Sequence, residues 1–244
     1  MKLDDPKATA LFLDLDGTLI DIAPTPDSVH VPDGLAAMLG ELTRQLDGAL
    51  AIVTGRTIAD VDRFLAPLTP VAAGVHGAEL RHGPGGEITV RADPIDAGVA
   101  QSVRRVAAEH ASVMVETKHA SIAVHYRQAP SLAPVLEVAL ARILDDGPDH
   151  LILAHGRQVF EIVPRHVSKG AALQAIMDLP AFAGRRPVMI GDDVPDVPAL
   201  EAAIRLGGSG LRVAGEHFSP AEADFMGPVE VRAWLRALSE GLAR

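Results

Sequence analysis

Residues 11–24 read LFLDLDGTLIDIAP and place two aspartates, Asp14 and Asp16, directly after an apolar run. In an extended strand, residues two apart project from the same side of the chain. The two carboxylates therefore start close together beside buried apolar surroundings, where their repulsion is poorly screened. This stretch requires something else in the protein to compensate the clustered negative charge.

Around this stretch, apolar runs alternate with amphipathic segments. Buried strands are predicted at residues 10–13, 50–53 and 71–75, helices at 33–46 and 57–65, and a Gly-rich hairpin turn at 83–86. After residue 164 the same rhythm resumes, with helices at 168–177 and 229–242 and a strand at 188–190. Strands and helices in alternation predict an α/β fold with a doubly wound, Rossmann-like core sheet.

The middle of the chain follows a different order. Helices are predicted at 94–111 and 131–145, and two hairpins pair SVMVET with IAVHYR and LILA with VFEIV. This order predicts a small antiparallel sheet with helices on one face. We therefore predict a core formed by residues 1–92 and 165–244, and an inserted α+β cap domain formed by residues 93–164. The two crossings between them predict a hinge, which would let the cap act as a lid.

Composition narrows the class of protein. The 244 residues include 22 basic and 32 acidic side chains, for a net charge of -10, which disfavours nucleic acid or an anionic membrane as a partner. Cysteine is absent from the sequence, which excludes disulfides and thiolate chemistry. The first ten residues, MKLDDPKATA, include several charged side chains and lack a long apolar segment. We therefore predict no signal peptide, no membrane span and a cytoplasmic location.

Polar clusters follow three of the predicted parallel strands, at the edge where open α/β sheets bind ligands. They are Asp14 with Asp16, Thr54, and the GDD run at 191–193. An acid-rich site of this kind suits a hard cation such as Mg²⁺, which would offset the clustered charge. Lys169, one of four lysines in the chain, could neutralise a phosphoryl group beside it, and the Thr54 hydroxyl could donate a hydrogen bond. Together these residues predict phosphoryl chemistry with a carboxylate nucleophile.

The run DLDGT at 14–18 is the DxDGT pattern of phosphatases in the haloacid dehalogenase superfamily. Further motifs follow along nearly the whole chain: DLDGTLIDIAPTPDSV at 14–29, TGR at 54–56, GVHGAE at 74–79, VETK at 115–118, HYRQAP at 125–130, EIVPR at 161–165, SKG at 168–170 and GDD at 191–193. In this order they resemble the bacterial trehalose-6-phosphate phosphatases. DxDGT alone identifies only the superfamily, whereas the later motifs, taken in this order, make the resemblance specific.

The resemblance implies a Mg²⁺-dependent hydrolysis of trehalose 6-phosphate to trehalose and phosphate, the last step of trehalose biosynthesis. Asp14 is implied to attack phosphorus and become an aspartyl-phosphate, while Asp16 protonates the departing sugar oxygen and then deprotonates water. Mg²⁺ is implied to bind the side chains of Asp14 and Asp192 and the main-chain carbonyl of Asp16. Thr54 and Lys169 are implied to grip the phosphoryl group.

Asp193 and Asp196 are implied to support the metal loop. At this loop the chain departs from the family, which usually has a threonine and a glutamate where this chain has Pro195 and Val197. Two side chains that could hydrogen-bond are therefore missing, and we expect proline to stiffen the loop instead. We predict an active enzyme in spite of this departure.

The cap domain is implied to select the sugar. Glu116 and Lys118 are two apart in an extended segment, so they project together and can bond several hydroxyls of the distal glucose. Glu161 is a lone carboxylate in an apolar strand, and its implied partner is a sugar hydroxyl, with Arg127 a further candidate. Cap closure would exclude water and make phosphoryl transfer depend on sugar recognition.

Simpler interpretations remain open. Paired aspartates before a glycine can form a turn, Thr54 could cap the helix that starts near residue 57, and Lys169 could be a surface lysine. Glu116 and Lys118 could form a solvated ion pair.

The remaining histidines, including His119 and His155, show no metal-ligand spacing and are interpreted as surface residues. His76 and Glu79 in GVHGAE are expected near the site, either binding ligand or stabilising a loop. The alternative functions are a phosphatase for another sugar phosphate, such as sucrose phosphate or a glycosyl-glycerate phosphate, and a non-catalytic sugar-phosphate sensor. We predict a monomer acting on a small-molecule sugar phosphate, without nucleic-acid or membrane partners.

Overall fold

The structure of the chain is a computed structural model that describes residues 5–23 and 28–243. Residues 24–27, within the motif quoted at 14–29, lie outside the described residues. The chain divides into two compact units, Met1–Thr89 with Ser168–Arg244, and Val90–Val167. The predicted insertion starts three residues later and ends three residues earlier (93 against 90, 164 against 167). The functional division into catalytic core and cap stays a prediction.

The first unit is built on a seven-stranded sheet in the order β11-β10-β1-β2-β3-β4-β5. Its strands are β1 (Thr9–Leu13), β2 (Leu50–Val53), β3 (Val71–Gly74), β4 (Glu79–Arg81), β5 (Ile88–Val90), β10 (Arg186–Gly191) and β11 (Ser209–Arg212). Neighbours from β11 to β3 are parallel, whereas β4 is antiparallel to β3. Every residue of β1 is buried, as expected for a central parallel strand that is covered on both faces.

The described helices of this unit are α1 (Leu35–Gln45), α2 (Ile58–Leu65), α5 (Lys169–Met177), α6 (Val197–Arg205) and α7 (Pro228–Leu242). The hydroxyl of Thr57 caps α2 by accepting from the Asp60 N–H (3.1 Å), and the hydroxyl of Ser168 caps α5 by accepting from the Ala171 N–H (3.1 Å). These caps fix where both helices begin. Lys169 is therefore the first residue of its helix.

Among the described α-helices and strands, α6 and β11 are not predicted from the sequence. The start of α6 lies in the proline-rich run VPDVPAL, and proline is tolerated only in the first turn of a helix. The strand β11 reads SGLR and lacks an apolar run. Its pairing with β10 places it at the edge of the sheet, where tertiary contact rather than local sequence makes it a strand.

The second unit is a four-stranded antiparallel sheet in the order β6-β7-β9-β8, with two helices. Its elements are α3 (Ala97–Ala108), β6 (Met114–Thr117), β7 (Ile122–His125), α4 (Ala133–Asp145), β8 (Leu151–Gly156) and β9 (Val159–Pro164). Alternate strand residues pack against the helices in one apolar core, which includes Ile122, Val124, Phe160 and Ile162 from the strands and Val103 and Leu140 from the helices. The intervening strand positions, including Ala123 and Glu161, lie on the opposite face of the sheet. The predicted order of helix, hairpin, helix, hairpin is confirmed.

Within residues 5–23 and 28–243, no helix combines the length and the apolar character that crossing a bilayer requires.

Candidate active site

Three buried polar residues follow three adjacent parallel strands of the first unit. Asp14 follows β1, Thr54 follows β2 and Asp192 follows β10, and β1 lies between the other two strands. The carboxyl ends of parallel strands meet at the same edge, so the structure brings these residues to one edge of the sheet. They are 4%, 1% and 3% exposed respectively.

Lys169 lies at the centre of the acidic residues. Its Nζ donates to Asp14 Oδ1 at 2.5 Å and to Asp196 Oδ1 at 2.6 Å. Burial by itself would lower the pKa of Lys169, but the two adjacent carboxylates outweigh burial and raise the pKa above its usual range. Lys169 is therefore a buried, charged residue, and its interpretation as a surface lysine is wrong.

Gly17 and Thr18 of the opening motif lie against Asp192. The Thr18 hydroxyl donates to Asp192 Oδ1 at 3.3 Å. Gly17 has φ +82°, and a Cβ on it would lie 2.1 Å from Asp192 Oδ2. Glycine is required here for two reasons, because the backbone is left-handed and because a carboxylate occupies the space of a side chain.

The carboxylates of Asp14, Asp192 and Asp196 form a buried cluster whose oxygens lie within 4.8 Å of one another. Burial, followed by repulsion within the cluster, raises the pKa of Asp14 to about 8 and that of Asp192 to about 9. The Lys169 ammonium alone does not balance three carboxylates. A hard, oxygen-preferring divalent cation fits both the donor atoms and the missing positive charge.

Asp196 is already occupied as a hydrogen-bond acceptor, although its oxygens belong to this cluster. Oδ1 accepts from Lys169, and Oδ2 accepts from the main-chain N–H groups of Asp192 and Asp193, both at 3.0 Å. This pattern favours a supporting role for Asp196 over direct binding of a cation.

Pro195 lies within a single 3₁₀ turn, Val194–Asp196, next to the cluster. The turn is closed by the Asp196 N–H, which donates to the Asp193 carbonyl oxygen at 3.0 Å. The N–H that proline lacks is therefore not the one that closes the turn. The departure from the family at this position leaves the loop folded around Asp196.

Asp16 has a partner that the sequence analysis did not assign. Arg56 donates from Nε to Asp16 Oδ2 at 2.8 Å and from Nη2 to Asp16 Oδ1 at 2.7 Å. Arg56 is the last residue of the TGR motif, which by itself predicts no role for the arginine. The available signal was that a second aspartate beside Asp14 needs its own counter-charge.

The loop after β2 is held by the GVHGAE segment. Thr57, rather than Thr54, caps α2, so the capping interpretation of Thr54 is wrong. The His76 N–H donates to the Thr54 carbonyl oxygen at 3.0 Å, and Glu79 Oε2 accepts from the Ile58 N–H at 2.8 Å. Glu79 thus stabilises this loop, which was one of the two roles left open for it.

In the second unit, Glu116, Lys118 and Glu161 lie together. Lys118 Nζ is 3.4 Å from Glu161 Oε1 and 3.9 Å from Glu116 Oε2. The Lys118 side chain is only 8% exposed and that of Glu116 is 35% exposed, so these two residues do not form a freely solvated ion pair. The Glu161 side chain is 9% exposed. Arg127 donates to the Arg157 carbonyl oxygen (3.4 Å) at the turn between β8 and β9.

His125 joins this group and is partly buried, so its interpretation as a surface residue is wrong. Its Nε2 is 3.2 Å from Glu116 Oε2. The signal was its position on β7, diagonal to Glu116 on β6, but strand register could not be read from the sequence with enough certainty. By contrast His119 is exposed, and His155 is half exposed in a pair with Glu137, as predicted for surface residues.

Comparison with known proteins extends these observations. The sequence profile of the trehalose-phosphatase family matches residues 12–210. A probable trehalose-phosphate phosphatase of Sinorhizobium fredii is 41% identical over 239 residues, covering 96% of this chain and 87% of that protein. A trehalose-6-phosphate phosphatase of Escherichia coli is 37% identical over 234 residues, with the same two coverages.

Solved structures share the fold. The C-terminal domain of a C. albicans trehalose-6-phosphate phosphatase matches with a TM-score of 0.80 at 19% identity, covering 95% of this chain and 92% of that one. A haloacid dehalogenase-like hydrolase from Bacteroides thetaiotaomicron matches with a TM-score of 0.65 at 15% identity, covering 97% and 98%. At these identities the matches bear on the fold alone, and they confirm the predicted α/β fold class.

Proposed function

This chain belongs to the trehalose-phosphatase family, and we propose that it hydrolyses trehalose 6-phosphate to trehalose and inorganic phosphate. It is a phosphoric monoester hydrolase of the haloacid dehalogenase superfamily. The observation that carries the proposal is the contact between Asp14 and Lys169 in the buried cluster at the end of β1. It sets a carboxylate nucleophile beside a fixed positive charge that can also neutralise a phosphoryl group.

In the first half of the proposed reaction, a carboxylate oxygen of Asp14 attacks phosphorus. The bond between phosphorus and the sugar oxygen breaks, and an aspartyl-phosphate forms. Asp16 gives a proton to the departing oxygen, for which it must exchange a bond to Arg56 for the sugar. Lys169 and the Thr54 hydroxyl hold the phosphoryl oxygens during the transfer.

In the second half, water attacks the phosphorus of the aspartyl-phosphate. Asp16 takes up the proton from this water, the bond between phosphorus and Asp14 breaks, and inorganic phosphate leaves. Asp14 is then a free carboxylate again, and Asp16 again carries the proton that it donated.

We propose Mg²⁺ as the divalent cation, held by the side chains of Asp14 and Asp192 and by the main-chain carbonyl of Asp16. When bound, it supplies positive charge that stabilises the phosphoryl oxygens. Asp196 and Asp193 keep the loop in place, since the Asp196 carboxylate accepts bonds from Lys169 and from two N–H groups of that loop.

We propose that the Val90–Val167 unit acts as the cap that selects the sugar. Glu116 and Glu161 can accept hydrogen bonds from glucose hydroxyls, and the Lys118 ammonium can donate them. Arg127 is a further candidate donor. The support for this assignment is that charged, largely buried groups lie together on a sheet face that the helices of the unit leave uncovered.

A phosphate-release panel tests the proposal. Trehalose 6-phosphate, sucrose phosphate, a glycosyl-glycerate phosphate and glucose 6-phosphate are each assayed with Mg²⁺ and with a chelator. We expect release from trehalose 6-phosphate to dominate and to stop in the chelator. Rapid phosphate release from another ester, with none from trehalose 6-phosphate, would refute trehalose 6-phosphate as the substrate. Binding without phosphate release from any ester would favour a sensor.

The monomeric state and the cytoplasmic location stay predictions. Sedimentation velocity and cell fractionation test them directly.

A further inference from the structure

Glu116 and His125 lie on the face of the second sheet that is opposite its helices. In the antiparallel pairing of β6 with β7, Glu116 is opposite Ala123 and Met114 is opposite His125. Opposed residues share a face of the sheet, as do residues two apart on one strand. The His125 ring is therefore diagonal to Glu116, within reach of its carboxylate.

The Lys118 ammonium lies between Glu116 and Glu161 but is not equally close to both. Lys118 Nζ is closer to Glu161 (3.4 Å) than to Glu116 (3.9 Å). His125 is nearer to Glu116 than Lys118 is, with Nε2 at 3.2 Å from Glu116 Oε2. His125, rather than Lys118, therefore makes the hydrogen bond that holds Glu116.

Both contacts of Glu116 are made by the same oxygen. His125 Nε2 and Lys118 Nζ approach Oε2, and within the described part of the Val90–Val167 unit no hydrogen bond reaches Oε1. The Glu116 side chain is 35% exposed, so solvent or a ligand can reach it. One oxygen is thus fixed by the protein and the other is available as an acceptor.

The charge state of Glu116 agrees with this geometry. The hydrogen bond to His125, which outweighs burial and is assisted by Lys118, lowers the pKa of Glu116 below its usual value. The residue is therefore a carboxylate near neutral pH, and a carboxylate oxygen is a strong acceptor for a hydroxyl.

We propose that His125 is a positioning residue, which by holding Glu116 Oε2 aims Oε1 at a hydroxyl of the distal sugar. The inference rests on the proposed function, in which Glu116 binds that sugar. His125 acts through Glu116 and needs no contact of its own with the substrate. Its effect is on binding of the sugar, so it should appear in KM rather than in the chemical step.

The test compares trehalose 6-phosphate with p-nitrophenyl phosphate, an ester that has no distal glucose. His125→Ala should raise KM for trehalose 6-phosphate about ten-fold, since a hydrogen bond to a charged group that is lost in binding has about that effect. The ratio of kcat/KM values for the two esters should fall by the same factor. His125→Gln, which keeps a donor at the end of the side chain, should restore most of this ratio.

His155→Ala is the matched control, because His155 also pairs with a glutamate, Glu137, at 2.8 Å in the same unit. It should leave the substrate ratio as in the unmodified protein. Thermal unfolding of every variant shows whether the cap remains folded, and His125→Gln keeps the test valid if His125→Ala unfolds.

A double-mutant cycle with Glu116→Ala separates the possibilities. If His125 acts through Glu116, the double variant should be no worse than Glu116→Ala alone. Additive losses would overturn the inference, because they would mean that His125 binds substrate directly or acts on the fold. If the ratio of kcat/KM values for the two esters is normal in His125→Ala but lowered in Glu116→Ala, the role of His125 is refuted and the sugar-binding role of Glu116 is kept. A normal ratio in Glu116→Ala would overturn the proposed sugar-binding role and the inference with it.

Discussion

Arg56 holds both carboxylate oxygens of Asp16, from Nε at 2.8 Å and from Nη2 at 2.7 Å. A bidentate guanidinium fixes the plane of the carboxylate as well as its position. The side chains are 17% and 29% exposed, so the pair is partly shielded from solvent. The orientation of the proposed general acid therefore depends on a residue that lies outside the DxDGT motif, in the loop after β2.

Replacing this arginine should lower turnover. We expect Arg56→Ala to reduce kcat for trehalose 6-phosphate by roughly 10 to 100-fold, since a small misplacement of a catalytic group has effects of this size. Arg56→Lys should recover only part of the loss, because an ammonium lacks the planar fork. Arg63→Ala is the control, since Arg63 also pairs with an aspartate and contacts the same Phe64 ring. Equal losses in Arg56→Ala and Arg63→Ala would contradict the assignment.

Gly17→Ala should inactivate the enzyme by displacing Asp192. The added Cβ would lie 2.1 Å from Asp192 Oδ2, whereas Gly184 has a similar φ (+75°) and, among residues 5–23 and 28–243, only its chain neighbours lie within 4 Å of its Cβ position. Both substitutions should cost about 1–2 kcal/mol of stability for a left-handed backbone. Only Gly17→Ala should abolish phosphate release, and urea unfolding measured beside the activity separates the two effects. An active Gly17→Ala enzyme would show that Asp192 can move without consequence.

Asp14→Asn should abolish turnover and leave the protein folded. The amide nearly matches the carboxylate in size but is not a competent nucleophile, so we expect kcat to fall at least about a thousand-fold. Phosphate release gives the rate, and circular dichroism shows whether the fold is kept. Near-normal activity would refute the assignment of Asp14 as nucleophile.

Stabilisation by Mg²⁺ should increase with pH. Without metal, burial and mutual repulsion raise the pKa of Asp14 to about 8 and the pKa of Asp192 to about 9 in the folded protein. The pKa of a freely exposed aspartate is 3.8. Between these values the folded state binds more protons than the unfolded state, so the free energy of unfolding falls as the pH rises. A bound cation offsets this loss by compensating both carboxylates.

Thermal unfolding at several pH values, with Mg²⁺ or with a chelator, checks this expectation. The rise in Tm caused by Mg²⁺ should be small near about pH 5 and largest near about pH 8. Asp192→Asn should flatten the dependence, because it removes one of the two titrating carboxylates. A rise in Tm that is equal at every pH would contradict a cation site built on these residues.

Much of the fold could be predicted because it rests on local patterns. The apolar runs that become β1, β2 and β10 are continuous, as buried parallel strands require. The element α6 could not be read in the same way, because its start carries prolines that also occur in loops. The edge strand β11 exists through its pairing with β10, which no local pattern encodes.

The candidate site could likewise be predicted from the sequence only in part. Asp14, Thr54 and Asp192 could be expected at one edge because each follows a predicted parallel strand. Three other residues hold this site and the proposed sugar-binding residues in place, and their contacts were harder to predict from the sequence. Asp196 is expected from the sequence only to support its loop, no role is predicted for Arg56, and His125 is expected at the surface.

The sequence by itself determined the α/β class, the inserted antiparallel module and the acidic residues at the strand ends, because periodicity and motif spacing are properties of short segments. Only the tertiary structure decided which charges meet. Arg56 and Asp16 are 40 residues apart, Lys169 and Asp196 are 27 apart, and Glu116 and His125 are 9 apart across a strand pair. These partners are set by strand register and by the start of α5, and both depend on packing of the whole core rather than on the residues next to each charge.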